Sequence, residues 1–186
     1  MFNRAQVRDI LANGQVDTTT EIMGWVVTKR TQKTFSFIEL NDGSVLNGIQ
    51  VIVDNTIPNY EDNILLAGTG ASIRITGRIV ASQGAKQRIE IHADTLEVIG
   101  TVPDSYPLQK KRQSPEFLRT NAHIRSRTKV MGMSTRVRSA CAQSIHRFFN
   151  KHNFNYVHTP IITASDCEGA GEMFQVTTLD LNNPPR

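Results

Sequence analysis

The chain has 186 residues, 39% of them hydrophobic and 20% charged, which is ordinary globular composition and enough length for one large domain or a domain and a piece of another. Its formal net charge of +4 fits an anionic partner without requiring one, so the distribution of charge carries more information than its sum. No apolar run approaches the roughly 20 residues of a membrane span, and the first ten residues, MFNRAQVRDI, lack an apolar signal region, so cytoplasmic residence follows by default. Cys141 and Cys167 form no CxxC pair and no metal-ligand spacing, and they read as reduced thiols.

Residues 4–12 have the spacing of a short helix, with Val7, Ile10 and Leu11 on one face and Gly14 as a stop. The period then changes. Residues 21–30, 34–40 and 47–53 are rich in β-branched and aromatic side chains, and the turn sequence Asn41-Asp42-Gly43-Ser44 lies between the second and third. A short helix over 58–66 follows, closed by Gly68 and Gly70, then strands over 71–80 and 87–99. Three strands, a helix and two strands is the element order of a five-stranded OB barrel, whose sheet face binds single-stranded nucleic acid. An SH3-like or other small barrel is the alternative, and the helix after the third strand argues against it.

Residues 101–121 hold Pro103, Pro107 and Pro115 with few aliphatics, and read as a linker. It is basic: between Pro107 and Arg125, Lys110, Lys111, Arg112 and Arg119 face only Glu116, which suggests a backbone contact to nucleic acid or simply a solvated linker. A long helix is predicted over about 124–151, with an apolar stripe from Val130, Met133, Val137, Cys141, Ile145 and Phe148. A strand pattern over 155–163 contains Pro160, and a glycine-bearing polar loop over 165–174 follows.

Alternation along the second strand puts Phe35 and Phe37 on one face and sends Ile38 and Leu40 into the barrel. Phe37 is thus a candidate stacking platform for a base, a contact worth about 1–3 kcal/mol with any base. Gln50, in the next strand, offers a donor and an acceptor to a base edge, and Arg30 can hold a phosphate or a base. Each also has a plain alternative: barrel-end packing for Phe37, a solvent-facing strand position for Gln50, a surface charge for Arg30. The five histidines are scattered without ligand spacing, and no metal site is expected.

GWVVTKR, FSFIELNDGS and IQV resemble the anticodon-binding barrel of class II synthetases for aspartate, asparagine and lysine. In that family an Arg–Phe–Gln trio engages the central uridine of the anticodon, and Arg30, Phe37 and Gln50 fall on its positions. YPLQKK, SPEFLR, RVRSACAQSIHRFF and TPIITASDCEGAGEMFQVTTLDL closely resemble bacterial asparaginyl-tRNA synthetases. The resemblance implies an OB barrel over 1–102, a basic hinge over 103–123, and over 124–186 the truncated start of a class II antiparallel α/β catalytic domain. It implies that the long helix and the strand with Pro160 are motif 1, at a homodimer interface. It also implies that Glu168, in a loop hinged by Gly169 and Gly171, contacts the α-amino group of the amino-acid substrate.

The complete family enzyme joins asparagine to tRNA(Asn) with ATP and Mg, using two later motifs whose arginines clamp the phosphates. Neither motif is imitated within these residues, so no catalytic residue is expected here, and neither ATP nor Mg is expected to bind this chain alone. Two readings compete: a tRNA-binding module without catalysis, and an aspartyl-type synthetase.

Overall fold

The computed structural model describes residues 5–85, 87–162, 177, 178 and 180. It divides into two compact units, Met1–Cys141 and Ala142–Arg186.

The first unit is built on five strands: β1 (Thr19–Thr31), β2 (Phe35–Asn41), β3 (Ile49–Asp54), β4 (Ser72–Ala81) and β5 (Ile89–Gly100). They close into a barrel in the order β1-β2-β3-β5-β4. The β3–β5 pairing is parallel and the other four are antiparallel. With α1 (Val7–Asn13) before β1 and α2 (Tyr60–Leu66) between β3 and β4, this is the OB arrangement that the order of the elements predicts. The period-2 pattern is clean in β2 and β3, where buried and half-buried residues alternate without exception. Ile38, Leu40, Ile49, Val51, Val53, Ile73, Ile75 and Ile91 are fully shielded inside the barrel. A register shift between Val26 and Thr28 re-aims the end of β1, so that Arg30 lies opposite Phe37 and Lys29 opposite the inward-facing Ile38. Lys29 donates through Nζ to the Ile64 carbonyl in α2, and burial pushes its pKa down.

α1 has no cap of its own, because the Gln6 side chain at its N-cap accepts from the Arg8 guanidinium and from no backbone N–H of the first turn. The β2–β3 turn supplies caps instead. Asp42 Oδ2 accepts from Val7 N at 3.0 Å, and Ser44 Oγ accepts from Arg8 N at 3.0 Å. Burial pushes the Asp42 carboxyl up, but hydrogen bonds from the Ser44 hydroxyl, the Ser44 amide and the Val7 amide outweigh it and hold the pKa below its ordinary value. Gly43 closes that turn with φ of 87°, which a side chain rarely adopts.

The expected linker over 101–121 is not structureless. It holds α3 (Pro115–Thr120), whose start follows from local chemistry: Ser114 accepts from Phe117 N, and Pro115 sits where a missing N–H costs nothing. Leu118 anchors this helix, being 4% exposed. The long helix also begins later than the predicted start at about 124. A single 3₁₀ turn spans Arg125–Arg127, Thr128 is extended, and α4 runs Lys129–Lys151. The opening of α4 is held to the barrel by cations: Arg127 stacks 4.4 Å above the Trp25 ring, Lys129 lies 4.0 Å from Glu39, and Arg136 donates to the carbonyls of Gly43 and Val45. Three of the basic residues that extend from the hinge are therefore turned toward the barrel.

In the second unit, the C-terminal part of α4 ends in a turn where Asn153 takes φ of 64°. The strand expected over 155–163 is not formed across its described residues, 155–162. A strand requires a ladder partner, and the described residues provide none. Phe154, Tyr156, Val157, Ile161 and Ile162 are all exposed there, as are Ile145 and Phe148 on α4.

Candidate nucleic-acid interface

The candidate face is the outer surface of β1, β2 and β3. Phe37 is half-buried there, with its inward neighbours Ser36 and Ile38 fully shielded. Its ring meets Phe35 edge to face at 5.0 Å, and the Arg30 guanidinium lies 5.7 Å from its centroid. Arg30 is exposed. The ring is thus held by two neighbours on an outer sheet surface, with a cation beside it.

Gln50 lies opposite Glu39, and Phe37 opposite Ile52. Gln50 is therefore one diagonal step from Phe37, a separation of about 7–8 Å between such positions and within reach of one base. The even positions of β3 face outward, so Gln50 shares the face of Phe37 and Glu39. The structure brings Arg30, Phe37 and Gln50 together on one surface. Sequence reasoning missed Glu90, which is 4% exposed and whose Oε2 accepts from Gln50 Nε2 at 2.8 Å and from Ser82 Oγ at 3.2 Å. A separation of 40 residues hides the pair, because only the parallel β3–β5 contact brings the two strands side by side.

Of the other positions singled out, Pro160 is exposed and lies outside any helix or strand, and Glu168 and Cys167 lie outside the described residues. Cys141 is a free, exposed thiol. Among the described residues no helix is long and apolar enough to cross a membrane. Nor do the described residues gather three His, Cys, Asp or Glu side chains that could hold a metal ion.

Residues 20–99 match the OB-fold nucleic acid binding domain of the tRNA anticodon family, and residues 114–183 match the class II tRNA synthetases of the D, K and N group. The two matches follow one another along the chain, the barrel first and the synthetase segment after it. Over its whole length it is 53% identical to an asparagine–tRNA ligase from a Nostoc species, and over 97% of its length it is 53% identical to one from Thermosynechococcus vestitus. The chain spans 40% and 39% of those two proteins, so it corresponds to less than half of each. The fold is that of asparaginyl-tRNA synthetase from Pyrococcus horikoshii, solved with asparaginyl-adenylate: TM-score 0.82 at 21% identity, covering 95% of this chain and 41% of that one.

Proposed function

We propose that this chain reads the anticodon arm of a tRNA through Arg30, Phe37 and Gln50, as the recognition part of an asparagine–tRNA ligase. The observation that carries the reading is the half-buried Phe37 ring on the outer barrel face, with a guanidinium beside it and an amide one diagonal step away. The ring stacks on an unpaired base, Arg30 supplies charge to a phosphate or base edge, and Gln50 supplies hydrogen-bond selectivity. The tRNA is tRNA(Asn), and the work is divided among the barrel over 1–102, the hinge over 103–123 and the start of the catalytic domain over 124–186. The complete protein attaches asparagine to the tRNA with ATP and Mg, as a homodimer in the cytoplasm. Motif 1, with Pro160 at the twofold axis, forms the dimer interface. The exposed apolar stripe of α4, including Val137, Ile145 and Phe148, supports that part of the reading. Glu168 contacts the amino group of the bound asparagine.

Titration of the chain with an anticodon stem-loop carrying a central uridine, across a salt series, tests the reading. Affinity should fall as salt rises, with a logarithmic slope of about −0.7 for each phosphate contact to single-stranded RNA. Binding that is independent of salt, or equal for a stem-loop and for a duplex without a loop, would remove it.

A further inference from the structure

Residues 117–165 contain eight lysines and arginines and no aspartate or glutamate, so the cations of this stretch find partners elsewhere or go without. In the first unit four of them are placed. Arg119 reaches Glu116, Arg127 stacks on Trp25, Lys129 lies near Glu39, and Arg136 donates to the Gly43 and Val45 carbonyls. Arg125 and Arg138 are left over, and neither guanidinium has an acceptor among the described residues.

Both line one cleft of about 250 Å³, which lies within the first unit. Ala122, Arg125 and Ser126 form one wall, from the segment after α3 and the 3₁₀ turn. Met131, Ser134, Thr135 and Arg138 form the other, and their spacing puts them on one face of α4. Thr135 commits its hydroxyl hydrogen to the Met131 carbonyl, whereas the Ser126 and Ser134 hydroxyls can turn to donate. Among the described residues no carboxylate and no aromatic ring lines the cleft. Two like charges on one small volume repel, and an anion between them removes that cost.

We propose that this cleft binds a phosphate group of an RNA strand, held by Arg125 and Arg138 with the Ser126 and Ser134 hydroxyls as further donors. The inference rests on the tRNA-binding function given above, but on none of the residues of the barrel face. A guanidinium presents paired N–H donors in the geometry of two phosphate oxygens. With no ring for a base to stack on, the cleft takes the backbone and carries no sequence preference. Base reading on the barrel and a sequence-blind anchor on α4 then divide the RNA contact between two parts of the chain.

The test uses the 186-residue chain and a complete tRNA with a central anticodon uridine. Arg125→Gln with Arg138→Gln should weaken binding about three- to tenfold near about 50 mM salt, and should lower the slope of log affinity on log salt by about 0.7–0.9, one phosphate contact. Arg125→Lys with Arg138→Lys keeps both charges and should recover the slope, which a merely structural role would not do. Arg119→Gln removes a cation already paired with Glu116 and should leave the slope as it was. Exchanging the central uridine for cytidine should change the affinity of the unaltered chain and of the double glutamine variant by the same factor. A double glutamine variant with unaltered affinity and slope overturns the proposal. If Phe37→Ala still weakens binding in that case, the anticodon reading stands and the cleft alone is misassigned. Inorganic phosphate should move the Nε–H NMR signals of Arg125 and Arg138. Movement of those signals without any effect of the double glutamine variant on tRNA affinity assigns the cleft to free phosphate and overturns the RNA assignment. If the unaltered chain binds no tRNA, the function given above fails and the RNA assignment with it.

Discussion

Truncating Phe37 to alanine separates recognition from folding, because the ring is on the outside of the barrel. In the free chain the ring has an edge-to-face contact with Phe35 and a cation beside it. The aromatic pair is worth about 0.5–1.5 kcal/mol and the exposed cation–π contact about 0.5–1 kcal/mol, so folding should lose about 1–2.5 kcal/mol. Its inward neighbour Ile38 is fully shielded, and Ile38→Ala should cost about 2–5 kcal/mol because it leaves a cavity. The order reverses for RNA. Phe37→Ala should weaken binding of an anticodon stem-loop by about 1–3 kcal/mol, roughly 5- to 150-fold in Kd. Ile38→Ala should leave Kd nearly unchanged at a temperature where the variant is folded. Urea titration gives the stabilities and fluorescence anisotropy with labelled RNA gives Kd. Equal affinity of Phe37→Ala and the unaltered chain would refute the stacking platform. A stability loss as large as that of Ile38→Ala would refute the outward orientation of the ring.

Asp42 has a pKa below its ordinary value in the folded state, so its stabilisation is complete above the unfolded carboxyl pKa and is lost as pH falls through the folded one. Urea midpoints should therefore drop more steeply on acidification for the unaltered chain than for Asp42→Asn, and parallel curves would rule out the capping role. Gly70 holds φ at 94°, and an added Cβ would sit 2.5 Å from the Tyr106 ring, so Gly70→Ala should cost about 1–3 kcal/mol in thermal or urea unfolding. A double-mutant cycle on Trp25 and Arg127 should give a coupling of about 0.5–1 kcal/mol, whereas one on Glu39 and Lys129, a 4.0 Å pair at the surface, should give close to zero.

The barrel was legible because its strands are short, β-branched and strictly alternating: Ile38 and Leu40 inside and Phe37 outside follow from period two alone. Period two put Phe37 on the outer face, whereas Arg30 and Gln50 were matched to it by family resemblance, and the opposition of Arg30 and Phe37 depends on a shift in β1 that no residue pattern announces. What escaped was long-range. Glu90 reaches Gln50 through a parallel strand contact, and Asp42 and Ser44 cap a helix 35 and 36 residues away. The helix at Pro115 escaped for a different reason: proline was taken as a breaker, although after Ser114 it starts a helix. The strand expected around Pro160 had the composition of a strand, but composition cannot supply a pairing neighbour.

The Asn41–Val45 bend is short, polar and glycine-bearing, the kind of place where a protein engineer would splice in a tag or open new chain ends. Here it is gripped from two directions, by the amides at the start of α1 and by the Arg136 guanidinium of α4. Lengthening it would release the first helix and loosen the hold of the fourth on the barrel at one stroke. The bend works as a rivet joining segments from both sides of the barrel in the chain, and a graft intended as harmless would strike there hardest.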